Sequence, residues 1–238
     1  MLDRTTPDRT KLPGPAGPRD ASRRAFFRRS ATTAAAVPAM VLASSAASQA
    51  GGGGNGLTGA TRAQLQSLFT EILDDELAHV EILQALLMDP DNTIPPRQVP
   101  TFRNLEQPTL LDFVRGAAIF ENTGSGAYGG ALFAIQQTDE YFPLATGITT
   151  VEARHAGWIN AILDQPLVPD FFPSEGAIPQ STALSHIDPF IAAINGSVPS
   201  FDPVHASDAN NFAILDFLLL LEFVESNYYA VNVRKFFG

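Results

Sequence analysis

Apolar side chains recur at intervals of three and four residues through four stretches of this chain, which predicts four helices. In the first, from Thr61, one face collects Leu65, Leu68, Phe69, Ile72, Leu73, Glu76, His79, Val80, Leu83 and Leu87, and Asp89-Pro90 ends it. The second opens at Thr109, with Asp112 three residues on as a capping box, and runs through Glu121 to about Gln137. The third takes Pro143 into its first turn, carries Glu152, His155 and Trp158, and stops near Gln165-Pro166. Ser207 caps the fourth, Phe212 to about Phe236, where Phe212, Leu215, Leu219, Glu222, Phe223 and Ser226 keep helical spacing. Four prolines make residues 91–108 an extended crossover. The Pro-rich stretch 166–206 reads as a long surface connection with one short amphipathic piece around Ser185–Asn195. No β-rich run competes, so the fold class is all-α. Gly124, Gly126, Gly129 and Gly130 are an unusual load for a helix interior. Close helix contact, a local irregularity beside a site, or a helix break would each account for them.

The polar residues that interrupt these apolar faces carry the chemistry. Glu76/His79 and Glu152/His155 are two Glu-x-x-His pairs in a chain with four histidines. Residues three apart share a helix face, so each pair aims a carboxylate and an imidazole at one spot. Glu121 and Glu222 each stand inside a run that otherwise reads as buried, where an unpaired carboxylate costs several kcal/mol or is forced to protonate. A cation removes that penalty. One Glu from each of two helices with a Glu-x-x-His from each of two others is a donor set for two iron or manganese ions in a bundle core. In that reading Glu76 and Glu152 bridge the ions, Glu121 and Glu222 are terminal or bridging carboxylates, and His79 and His155 complete the nitrogen ligation. Tyr128 and Glu225 are expected to touch the ligands from outside. The bland alternatives are solvated helix faces or hydrogen-bonded buried pairs, with Asn122 and Tyr128 able to satisfy Glu121. Trp158, Tyr228 and Tyr229 read as core or interface packing before electron relays or hydrogen-bond donors. His186 and His205 lie in the Pro-rich connection, are read as having no paired acid at ligand spacing, and stay outside the expected site.

Composition narrows the chemistry further. The chain has no cysteine, which excludes disulfides, iron–sulfur clusters and thiol catalysis and leaves oxygen and nitrogen as the available ligands. Residues 1–50 read as an export signal. Ser22-Arg23-Arg24-Ala25-Phe26-Phe27-Arg28 matches the twin-arginine pattern, a weakly apolar Ala-rich stretch follows from Ala31 to Ala47, and Ser48-Gln49-Ala50 offers a cleavage site. That stretch is too short and too weakly apolar to span a membrane, so no span is expected after cleavage. Gly51 to Gly56 opens a Gly-rich linker over 51–60, and 61–238 is left as one domain. Losing 1–50 removes eight basic and three acidic side chains and leaves 7 against 22. Such a balance argues against nucleic acid and anionic membranes as partners.

Three segments resemble the ferritin-like domain family that includes plant desiccation-related proteins and many exported bacterial relatives. They are Asp74-Asp75-Glu76-Leu77-Ala78-His79-Val80-Glu81, the run Phe120 to Ala131 beginning Phe120-Glu121-Asn122-Thr123-Gly124, and Val151-Glu152-Ala153-Arg154-His155-Ala156-Gly157. The resemblance implies a ferritin-like four-helix bundle. The likeness of that family's first helix, an Asn-Phe-Ala-Leu-x-Leu-Glu-x-x-Glu pattern, stands here at the C-terminus as Asn211 to Glu225, so the chain reads as circularly permuted. Glu222 then either folds back within its own chain or reaches a neighbouring copy, and a homo-oligomer is compatible with both. The functional expectation is an exported dinuclear iron or manganese carboxylate protein acting on iron and O2, or on peroxide, in oxidative or desiccation stress. Ferroxidase, peroxidase and catalase-like chemistry all suit the donor set. The alternative is a non-catalytic protective protein of the cell envelope that keeps the bundle with or without metal.

The export reading has a direct test. Replacing Arg23 and Arg24 together with lysine should trap precursor in the cytoplasm, followed by fractionation and immunoblotting, and continued export of the double variant would point to another route.

Overall fold

The computed structural model describes residues 57–135, 141–168 and 177–238; the expected signal at 1–50 and the linker's residues 51–56 lie outside them. Helix α1 is Arg62–Leu87, α2 Leu110–Ala131, α3 Tyr141–Ile162, α4 the short Gln180–Ile187, and α5 Asp208–Phe237. Thr61 caps α1 in a full capping box with Gln64, and Ser207 caps α5 by accepting from Asn210 N. At Thr109, which caps α2, the hydroxyl accepts from Asp112 N and donates to Asp112 Oδ2 at 2.6 Å.

The four long helices form a bundle in which α1 packs mainly on α5 and α2 on α3. Contacts at the helix ends set their directions. Arg62 and Gln66 at the start of α1 donate to the carbonyls of Phe236 and Phe237 at the end of α5. Asn122 and Asn160 exchange paired amide bonds of 3.0 Å between α2 and α3, and Tyr228 Oη donates to Phe113 O at 2.9 Å. Phe69 of α1 meets Trp158 of α3, with ring centroids 5.1 Å apart. Each of these pairs is antiparallel, so α1 runs parallel to α2 and α3 parallel to α5. Each parallel step needs a connection as long as the bundle, about 35 Å for helices of this length.

The two connections do more than span. Thr101–Phe102 (β1) and Ile191–Ala193 (β2) pair as a two-stranded antiparallel ribbon, Thr101 opposite Ala193 and Phe102 opposite Ile191. The ribbon was not expected from the sequence, because two or three residues carry no alternation to read. The helical piece of the second connection is Gln180–Ile187, earlier than the Ser185–Asn195 pattern suggested. Asp188-Pro189-Phe190 forms a 3-10 turn after it and sends the chain into β2. Both connections lie against α5. Arg97 donates from Nε to Asp216 O and Oδ1 at 2.8 and 3.0 Å and from Nη2 to Ser197 O at 2.8 Å, and it also pairs with Asp216 Oδ2. Phe201 packs on Phe217 at 5.7 Å. Covered by neighbours on every side, α5 is buried from Asn210 to Ser226, which is why Leu218-Leu219-Leu220-Leu221 is tolerated as a continuous apolar run.

α2 is unbroken through its glycines, and close approach explains one of them that the sequence reading passed over. A Cβ built on Gly116 would lie 2.0 Å from Tyr228 Oη and 2.7 Å from its Cζ. Tyr228 is fully buried and tethered to Phe113 O, so it cannot retreat. Gly116→Ala should therefore lower the melting temperature by several degrees, for an overpacking cost of about 1–3 kcal/mol. Gly147→Ala, at an exposed place in α3 with nothing within 4 Å, should instead stabilise by about 0.5–1 kcal/mol. Thermal melts of the two variants side by side check both signs.

Candidate metal centre

Mid-bundle, α1 supplies Glu76 and His79, α3 Glu152 and His155, α2 Glu121 and α5 Glu222. All four carboxylates are 0 % exposed and the imidazoles of His79 and His155 are 5 % and 8 % exposed. His79 Nδ1 lies 3.1 Å from Glu152 Oε1, 3.3 Å from Glu76 Oε2 and 3.5 Å from Glu222 Oε2. His155 Nδ1 lies 3.2 Å from both Glu76 Oε1 and Glu121 Oε2. The ligand atoms gather into two groups, Glu76, His79, Glu152, Glu222 and Glu76, Glu121, Glu152, His155, each with its atoms within 4.8 Å of one another. Glu76 and Glu152 belong to both. All six residues picked out from the sequence are brought together; His186 bonds Thr123 Oγ1 at 2.7 Å, and His205 stays exposed but, contrary to the sequence reading, has a paired acid, Asp202 three residues before it, with Oδ2 2.8 Å from His205 Nδ1.

The polar atoms of this cluster are arranged for something other than one another. Glu76 Oε1, Glu121 Oε2, both carboxylate oxygens of Glu152, Glu222 Oε2 and His155 Nδ1 are buried without an aligned hydrogen bond. Among the described residues no lysine or arginine pairs with any of them. Orphaned buried carboxylate oxygens are rare because each costs its full desolvation. Converging in two groups of three oxygens and one imidazole nitrogen, they fit cations.

Without a cation the charges disturb each other strongly. Burial, with the charges of Glu76 and its neighbours added, pushes Glu152 well above the usual carboxylate range. Burial also raises Glu121 against the opposing pull of His155, and lifts Glu222 to about 8 against that of His79. Glu76 is opposite: burial alone would raise it, but the close approach of the His155 and His79 imidazoles outweighs burial and holds it below the ordinary range. Burial disfavours the charged forms of His79 and His155, yet Glu222 beside the first and Glu121 beside the second lift both.

Further contacts brace the cluster. Tyr128 Oη donates to Glu222 Oε1, and Tyr229 Oη donates to Glu121 Oε1. The expectation that Tyr128 or Asn122 would satisfy Glu121 is corrected: Tyr128 serves the opposite glutamate, and Asn122 faces Asn160. Tyr229, read from the sequence as packing first, is the donor to Glu121. A signal for it was present, because Glu121/Tyr128 and Glu222/Tyr229 share a spacing of seven, two helical turns on one face. Asp75 Oδ2, 3.2 Å from His155 Nε2, was also missed, since nothing local separates it from Asp74 beside it. Glu225 is buried beside the site, with Oε2 unpartnered. Tyr228 and Trp158 pack, as expected.

The all-α bundle and its buried Glu/His cluster define a ferritin-like protein with a possible metal site. The profile of the ferritin-like domain family matches residues 22–165, more than half of the chain, and the chain belongs to that family. The match begins inside the segment read as an export signal and ends before α5. Comparison with curated proteins and with solved structures returns no match.

The pKa directions fix the sign of a pH dependence for metal-free protein. Glu222, raised to about 8 when folded, contributes stability that is fully present below the unfolded carboxylate value of 4.5 and is lost as pH rises through 8. The raised Glu121, Glu152, His79 and His155 act in the same sense. Glu76 opposes them only below 4.5, outside the window. Between pH 5 and 8.5 the apo melting temperature should therefore fall, by roughly 2–4 °C per kcal/mol lost. Calorimetry on apo wild type and on Glu152→Gln with Glu222→Gln checks this, because the double variant should be flatter. Equal slopes would assign the dependence to surface charge instead.

Proposed function

We propose that this protein is an exported ferritin-like carboxylate protein that holds two iron or manganese ions and acts on iron with O2, or on peroxide, under oxidative or desiccation stress. The observation that carries the reading is the sharing of Glu76 and Glu152 between two four-residue ligand groups. Glu76 and Glu152 would bridge, Glu121 and Glu222 would be terminal carboxylates, and His79 and His155 would supply one nitrogen to each half. Four carboxylates balance the charge of two divalent cations, and hard oxygens with two imidazoles suit iron or manganese. When bound, such a pair supplies one-electron steps and a seat for O2 or peroxide.

The chain's own residues do the rest. Tyr229 and Tyr128 each hold one terminal glutamate in place through a buried hydroxyl. Asp75 orients His155 from the surface side, fixing the proton on Nε2 so that Nδ1 is free toward the cluster. The apolar wall of Leu218 to Leu221 keeps bulk water away from the α5 side. Export rests on the Ser22-to-Arg28 pattern, and twin-arginine transport of folded cargo would let the site fill before export. Circular permutation is supported by the pairing of α5 with α1 and by the bonds of Arg62 and Gln66 to the last carbonyls of α5, which bring the two chain ends of the bundle together.

Elemental analysis of the protein purified from its native host should find about two iron or manganese ions per chain. Glu76→Gln or Glu152→Gln should abolish binding at both positions, whereas Glu121→Gln or Glu222→Gln should spare one. Loaded wild type should turn over ferrous iron with O2, or peroxide. Absence of metal, an unchanged melting temperature on chelation and no turnover would leave the non-catalytic protective bundle. For the permutation, a chain with 177–238 placed before 57–168 through a short Gly/Ser linker should keep the helical signal and the metal stoichiometry; loss of both would count against it.

A further inference from the structure

α2 and α5 carry the same polar sequence in register. Glu121, Ser125 and Tyr128 on one, and Glu222, Ser226 and Tyr229 on the other, are Glu-x-x-x-Ser-x-x-Tyr. Because each tyrosine bonds the other helix's glutamate across an antiparallel contact, the positions midway between Glu and Tyr lie opposite each other at the centre of that face. There the two helices differ. α2 has Gly124 and α5 has Glu225.

The difference is filled space. A Cβ on Gly124 would lie 2.3 Å from Glu152 Oε2 and 3.5 Å from Glu225 Oε1, so the missing side chain is the room these two carboxylates use. Glu225 is 2 % exposed, Oε2 has no hydrogen bond, and among the described residues it has no ion pair. Burial raises it well above the carboxylate range, and the charges of Glu152, Glu222, Glu76 and Glu121 add to this in that order. A fifth acid buried beside four others, with one carboxylate oxygen unpartnered and no ion pair among the described residues, lacks a structural reason within the bundle.

We propose that Glu225 is a seventh protein ligand of the cation pair, closing it from the face between α2 and α5 in the space that Gly124 leaves. This rests on the dinuclear reading. It adds that a small molecule reaching the ions from that face has to displace or share with Glu225, so the residue controls how readily an external ligand enters.

Cobalt(II), whose visible bands change intensity with coordination number, and azide as external ligand make the test. Wild type should bind two cobalt ions, and Glu225→Ala and the isosteric Glu225→Gln should bind them about tenfold or more weakly, the scale set by ligand-shell substitutions. Both variants should show altered cobalt bands, and Glu225→Ala should take up azide at least tenfold more tightly than wild type. Two cobalt ions in wild type with unchanged affinity, bands and azide binding in both variants would overturn the role of Glu225 alone. No cobalt in wild type would overturn the dinuclear reading and this one with it. The glutamine variant keeps the side-chain volume, so its result does not depend on a refilled cavity.

Discussion

Four carboxylates fully withdrawn from water at the centre of an apolar bundle are the constraint to which the rest of this structure answers. Each would cost several kcal/mol if left ionised and alone. The fold treats its buried acids in two ways. Asp216, at the edge of the bundle, receives a guanidinium from the crossover through Arg97, with a carbonyl of the second connection on the same side chain. Among the described residues the central acids receive no such cation. They have two imidazoles and two tyrosine hydroxyls, which leaves most of their inward oxygens bare. Residues able to neutralise an acid are thus spent around the site and withheld from its middle.

This arrangement also explains why the bundle is held so firmly around a costly core. The aromatic contacts of Phe69, Phe113, Phe237 and Tyr229, with centroids 4.7 to 6.3 Å apart, fill the end where α1 and α2 begin and α5 finishes. Fully burying such side chains contributes about 1.5–3 kcal/mol each. The ribbon and the Arg97 clamp press both connections onto α5, the helix that is buried without a break from Asn210 to Ser226. Side chains mounted on helices packed this way are positioned by rigid elements and not by loops.

The six central residues were legible in the sequence because the features that reveal them are local. Glu-x-x-His is a one-turn geometry, and a lone acid in a leucine run betrays itself by the cost of burying it. The four long helices followed from the same periodicity. The ribbon did not, since Thr101 and Ala193 are neighbours only after both connections have been laid across the bundle. Nor did the partners of Glu121: which tyrosine reaches it depends on the antiparallel register of α2 against α5, a relation between distant segments. Asp75 was hidden for a related reason. Half-exposed on an acidic helix, it differs from Asp74 only in facing His155 on another helix.

Near-symmetry is what makes the exceptions informative. α1 and α3 each offer Glu-x-x-His, and α2 and α5 each offer Glu-x-x-x-Ser-x-x-Tyr, so a two-fold exchange of the pairs would map one half of the site onto the other. Two places break it. The residue before Glu76 is Asp75, bonded to His155, whereas the residue before Glu152 is Val151. Three residues after Glu222 stands Glu225, where α2 has Gly124. One half therefore gains a carboxylate behind its imidazole, and the α5 side gains a carboxylate in front of its ligands. An outer carboxylate makes an imidazole a stronger donor, and an added inner carboxylate raises the negative charge seen by a cation. Two ions of the same element held by these halves would not be equivalent in affinity or in ease of oxidation, although the six residues that define the site are paired almost as mirror copies along the chain.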